Sequence, residues 1–193
     1  VFSFTQKQMT KKPRTKSPTE LRVIDNFLST NEFIILKDLF MGDIPWYRAE
    51  GISGSDSTNA IVNPLDNYYF THLLYAEYIP RSENWEQVHR ILEEGIKKHY
   101  GVAYSVITRI KANFYPRTEE VQVHPFHVDS GNIANLQGLV FSLNTNDGYT
   151  GFADGTEVDS VENRAAFFNA TKKHHSTSCS NAPFRLNINV NFL

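Results

Sequence analysis

The sequence holds a single cysteine, Cys179, so no internal disulfide is possible and a reducing compartment is expected. It has no apolar run near the roughly 18–20 residues that a membrane-spanning helix needs, and no signal-peptide pattern. Nor does one sign of charge dominate. The net charge is −2, which excludes a uniformly basic nucleic-acid binder. Internal repeats and low-complexity tracts are also missing. These absences leave a soluble, cytoplasmic, single-domain protein as the expectation. Apolar side chains, by contrast, are plentiful: 40% of the 193 residues are hydrophobic and 13% aromatic, enough for a large core and against global disorder.

Charge is unevenly placed. Residues 1–18 carry Lys7, Lys11, Lys12, Arg14 and Lys16 with no acidic residue, so the remainder of the chain is at −7. The arm reads as a solvated, poorly ordered terminus, and residues 19–193 as the domain. After a short strand and turn over 21–28, Ser29 with Glu32 forms a capping-box signature ahead of Phe33, Leu36 and Phe40. Gly42 stops that helix. Further helices are expected over 68–78 and over 84–100, the latter ended by Gly101. Beyond Gly101, residues 105–115, 136–143, 157–161, 164–169 and 184–192 read as strands separated by Asn-, Asp- and Gly-rich turns. Helices first and strands afterwards predict an α+β layout, with helices on one face of a sandwich or barrel.

The last strand has the cleanest period. Phe184, Leu186, Ile188, Val190 and Phe192 alternate with Arg185, Asn187, Asn189 and Asn191. So regular a polar face meets solvent by default, or it lines a wet cavity inside a barrel.

Of seven histidines, four lie in two close groups, His124 with His127 and His174 with His175. His127 and Asp129 form an H-x-D pair. On an extended segment both point the same way, about 6.5–7 Å apart along the strand. A third metal ligand can come from the second histidine pair, from His174 or His175. Two His and one carboxylate on one face of an ion suit a non-haem Fe(II) centre with open positions. Arg185 lies 11 residues beyond His174, and a guanidinium can clamp a carboxylate through two parallel hydrogen bonds.

This H-x-D, distal His and following Arg resemble the Fe(II)/2-oxoglutarate-dependent oxygenases. The likeness is to their prolyl-4-hydroxylase-like branch, marine phage and metagenome members in particular. It runs from about Val23 to Leu193 and includes the stretches 109–113, 146–150, 152–155 and 160–164. The resemblance implies a double-stranded β-helix (jelly-roll) core with supporting N-terminal helices. It makes His127, Asp129 and His174 the iron ligands, with His175 as the alternative for the third. Arg185 would bind the distal carboxylate of 2-oxoglutarate, assisted by Asn187 where many relatives have Ser or Thr. Asn113 and Tyr115 are candidate co-substrate contacts, or simply a polar sheet face. The activity implied is O₂-dependent hydroxylation of a peptidyl (prolyl among the options) or small-molecule C–H bond, with succinate and CO₂ released. Asp129 disfavours halogenation. Asn191, where nucleic-acid dealkylases of this scaffold have a second Arg, disfavours a nucleic-acid substrate. A non-enzymatic jelly-roll module binding a metal or a sugar is the third reading. His124 is read as a supporting or surface residue, and Cys179 as a packed thiol. Trp46, Tyr47, Tyr68, Tyr69 and Phe70 are read as core, with a substrate-channel lining as the alternative, and substrate choice is expected in 43–66 and 116–126.

Overall fold

The computed structural model describes residues 20–51, 60, 63–100, 106–129 and 133–193. The basic arm over 1–18 lies outside them, as do Gly101 and part of the 43–66 segment. Strand β1 (Arg22–Ile24) leads into helix α1 (Thr30–Met41). The Ser29 hydroxyl accepts from the Glu32 amide, and the Glu32 carboxylate accepts from the Ser29 amide. Strands β2 (Tyr47–Glu50), β3 (Tyr68–Ala76) and β4 (Ile79–Pro80) precede helix α2 (Trp85–Tyr100). At Gly95 of α2 a β-carbon would come 2.6 Å from the Phe27 ring, so glycine allows this close approach. Seven strands complete the described chain: β5 (Ile107–Pro116), β6 (Gln137–Ser142), β7 (Tyr149–Phe152), β8 (Glu157–Asp159), β9 (Arg164–Asn169), β10 (His174–Ser176) and β11 (Phe184–Phe192).

The strands form two antiparallel sheets. The larger runs β1-β9-β6-β11-β5-β3-β2 with β4 beside β3, and the smaller runs β10-β7-β8. Leu186, Ile188 and Val190 of β11 join Phe33, Leu36 and Phe40 of α1 and Val88, Leu92 and Ile96 of α2 in one buried cluster. Each such side chain contributes roughly 1.5–3 kcal/mol on burial. The helices thus cover one face of the large sheet. The small sheet covers part of the other, where Phe152 and Val158 pack on Val140, Ala166 and Phe168. With both faces covered, β6 is buried at every position. This is a jelly-roll arrangement with two helices among the described residues. Neither helix is long and apolar enough to cross a membrane.

One expected helix is a strand. Residues 68–76 of it pair with β5 and β2 as β3, and Glu77 and Tyr78 form a turn. Tyr69 is buried on the cavity face and His72 and Leu74 on the face packed against Phe40 and Trp46, so burial on both faces gives the first two a helix-like spacing of three.

Candidate active site

His127 and His174 face each other across an isolated antiparallel bridge. Each backbone amide donates to the other's carbonyl at 2.9 Å. Two residues on, the Asp129 amide donates to Ala170 O at 3.1 Å. These backbone bonds register the loop carrying H-x-D against the start of β10. The side-chain ligand atoms of His127, Asp129 and His174 then lie within 4.8 Å of one another.

Their hydrogen bonds prepare them as ligands. His174 Nδ1 donates to Lys172 O at 3.0 Å, and His127 Nδ1 sits 3.4 Å from Pro125 O. A carbonyl accepts only from N–H, so these contacts leave each Nε2 with its lone pair. His174 Nε2 is buried with no hydrogen-bond partner and lies 3.8 Å from Asp129 Oδ2. An orphaned imidazole nitrogen beside a carboxylate is the chemistry a divalent metal satisfies. Burial, with His174 adding to it, lowers the His127 pKa to about 4, so the ring is a neutral donor at pH 7. At Asp129 burial acts to raise the pKa, but Arg109, His174 and Asn191 outweigh it and hold the carboxyl below its ordinary range. Arg109 Nη2 donates to Oδ1 and Asn191 Nδ2 to Oδ2, both at 2.8 Å.

The trio opens into a cavity of about 250 Å³ whose wall is built by β5 and β11. Their register pairs Arg185 with Tyr115, Asn187 with Asn113, Asn189 with Lys111 and Asn191 with Arg109. The polar face of β11 therefore meets the cavity rather than solvent. Asn113 Nδ2 donates to Asn187 Oδ1 at 3.0 Å, while Asn113 Oδ1 is buried without a partner.

Arg185 is 1% exposed and lies just behind the lining, its guanidinium over the Tyr115 ring at 5.5 Å. It donates to Ser160 Oγ at 2.7 Å, to Thr177 O at 3.0 Å and to Thr150 Oγ1 at 3.0 Å. One N–H remains on each terminal nitrogen, and among the described residues no carboxylate pairs with it. Gly148 makes room for this side chain, since a β-carbon there would fall 2.6 Å from Arg185 Cδ. Tyr115 is stacked between Tyr69 at 5.4 Å and His124 at 5.3 Å. Burial raises its pKa, against the pull of Arg185 and Ser176.

The structure brings together the residues that the sequence offers as ligands, and it separates the two candidates for the third position. His174 joins His127 and Asp129, whereas the His175 ring packs against Phe126 at 5.0 Å and Tyr149 at 5.8 Å. Asn113, Tyr115 and Asn187 line the cavity. His124 is buried rather than at the surface; its Nδ1 meets Ser176 Oγ at 2.8 Å, and burial lowers its pKa to about 3. Cys179 is buried, which raises its pKa to about 11, as suits a packed thiol. Trp46 packs on the main core and Tyr47 is exposed, against expectation, while Tyr69 is buried against Tyr115 and also lines the cavity. Sequence reasoning missed Lys111, although period two from Arg109 to Tyr115 points to it. It also missed Asn191 as the partner of Asp129, and Ser160 and Thr150 as the seats of Arg185. Lys111 lines the cavity, and burial together with Arg109 lowers its pKa to about 8.

No protein-family model and no curated protein matches this sequence. Solved structures do. A 2-oxoglutarate–Fe(II) oxygenase-family oxidoreductase from Burkholderia pseudomallei matches with a TM-score of 0.64 at 11% identity, over 89% of this chain and 84% of its own. A prolyl hydroxylase from Trichoplax adhaerens, in complex with a hypoxia-inducible-factor peptide fragment, matches with 0.61 at 12% identity, over 91% and 84%. A prolyl-4-hydroxylase from Pseudomonas putida matches with 0.57 at 14% identity, over 91% and 94%. Likeness at such identities establishes a shared fold.

Proposed function

We propose that the chain is an Fe(II)- and 2-oxoglutarate-dependent dioxygenase that hydroxylates a C–H bond of a peptidyl or small-molecule substrate. The observation that carries this is a pair of demands around one cavity that the described residues leave unmet: a buried His174 Nε2 without a partner, and a buried Arg185 without a counter-ion. A divalent metal answers the first and a carboxylate the second. Solved prolyl hydroxylases on the same fold support the reaction class, and one of them is bound to a peptide.

His127, Asp129 and His174 would hold the metal, and Arg185 with Asn187 the distal carboxylate of 2-oxoglutarate. Bound there, Fe(II) with 2-oxoglutarate and O₂ supplies the oxidation of an unactivated C–H bond, with succinate and CO₂ as by-products. The protein's own contribution is positioning. Arg109 and Asn191 fix both carboxylate oxygens of Asp129, and Lys172 O fixes the His174 tautomer. Ser160, Thr150 and Thr177 aim the Arg185 guanidinium. The His174 and Asp129 side chains are buried, so these charge-assisted contacts are stronger than in bulk water. Asn191 is already engaged with Asp129, which counts against the nucleic-acid reading. The buried charge of Arg185 counts against a passive sugar-binding module.

Anaerobic titration with Fe(II) and 2-oxoglutarate tests the proposal through the metal-to-ligand charge-transfer band. The parent should show it. Asp129→Ala should lose tight Fe(II) binding, because it removes the one anionic ligand, and His175→Gln should keep it. A parent with no band, or an Asp129→Ala variant with unchanged iron affinity, refutes the assignment.

A further inference from the structure

The cavity wall makes one more demand. Lys111 projects into it from the middle of β5, and its closest hydrogen-bond contact is the Tyr69 hydroxyl at 3.5 Å, the limit for such a bond. Its ammonium lies 5.4 Å from the Tyr69 ring centre. Among the described residues it forms no ion pair. Two neighbouring polar atoms have no partner at all. Arg109 Nε, two residues along β5, and Asn189 Oδ1, directly across on β11, are both buried and unpartnered. Two cationic donors and one acceptor thus face the same space.

The charge balance points the same way. Asp129 is the single carboxylate among the described lining residues, and both its oxygens are taken by Arg109 and Asn191. A divalent ion at the trio and a dicarboxylate on Arg185 would still leave the Lys111 side of the cavity in positive excess. A half-buried ammonium held by one long hydroxyl contact and an aromatic face is poorly compensated, and the lowered Lys111 pKa is in keeping with that.

Resting on the dioxygenase reading above, we infer that Lys111 and Arg109 Nε form a subsite for a carboxylate carried by the substrate, with Asn189 Oδ1 accepting an N–H beside it. The substrate class is therefore a carboxylic acid, presented either as a free α-amino acid or as an Asp or Glu side chain within a peptide. Lys111 is the residue that selects it.

The test uses the full chain loaded with Mn(II) and saturating 2-oxoglutarate, which holds the site without turnover. Paramagnetic broadening of ligand NMR signals then reports binding close to the metal. One panel holds the free L-amino acids and their primary amides. The other holds N-acetyl aspartyl and glutamyl peptides with their Asn and Gln counterparts. At least one acid should bind roughly 10-fold or more tightly than its amide, the loss expected for a charge-assisted hydrogen bond. The panel it belongs to identifies the source of the carboxylate. Lys111→Met and Lys111→Gln should erase that discrimination while shifting 2-oxoglutarate affinity less than about two-fold. Amides binding as tightly as acids, silence in both panels, or discrimination surviving in both variants overturns the inference. So does a variant that weakens 2-oxoglutarate itself 10-fold or more, since Lys111 then belongs to the co-substrate. A parent that binds neither metal nor 2-oxoglutarate instead overturns the dioxygenase reading.

Discussion

Arg185 enters the interior on a strand whose other polar residues are amides, and only neutral groups receive it. If its two remaining N–H groups clamp the distal carboxylate of 2-oxoglutarate, Arg185→Lys should weaken co-substrate binding although the charge is kept. A point ammonium cannot reproduce the planar fork, so the loss should be about 1.5–3 kcal/mol, roughly 10- to 150-fold in affinity. Titration under anaerobic Fe(II) measures it. Iron affinity itself should stay constant, because Arg185 touches none of the three candidate ligands. Undiminished 2-oxoglutarate binding in this variant would remove Arg185 from the site. The residue was legible in the sequence because a lone charge interrupts a regular row of Asn. Its seats were not, since Ser160, Thr150 and Thr177 come from segments that only the folded sheets bring to it.

Strand β11 divides its two jobs by parity. Odd positions from Arg185 to Asn191 face the cavity wall, and Leu186, Ile188 and Val190 face the helices. Ile188→Ala should therefore cost about 2–5 kcal/mol in urea unfolding, the usual range for emptying a buried aliphatic site. The folded fraction should bind 2-oxoglutarate as the parent does. A large drop in affinity per folded molecule would show that the two faces are not independent. This alternation, the capping box at Ser29 and the run of α2 could be read directly from the sequence because each is a local pattern. β3 could not. It is buried on both faces, Tyr69 toward the cavity and His72 toward Phe40, which blurs period two into a spacing of three, and its aromatic residues suit either state. β7 and β10 also escaped notice. They span only four and three residues, and β7 carries Gly151, where a β-carbon would fall 2.2 Å from His175 Nε2.

At the scale of the whole molecule, the candidate ligands come from segments 45 or more residues apart along the chain, His127 and Asp129 from one and His174 from the other. Motif spacing named them; no local pattern could say that they meet. Their meeting rests on the reciprocal backbone bonds between residues 127 and 174 and the bond from Asp129 to Ala170. Those bonds have a thermodynamic consequence. They exist in the native chain alone, so a divalent ion gripped by the three side chains acts as a removable cross-link that closes a long loop only in the folded state. At 100-fold excess over its dissociation constant such an ion adds about 2.7 kcal/mol to stability. For a chain of this length that is a rise in Tm of roughly 5–10 °C. Calorimetry with Mn(II), then with excess chelator, should show the rise and its reversal. Asp129→Ala should show neither, and a parent whose Tm ignores the ion would mean that these backbone bonds align side chains which never grip one.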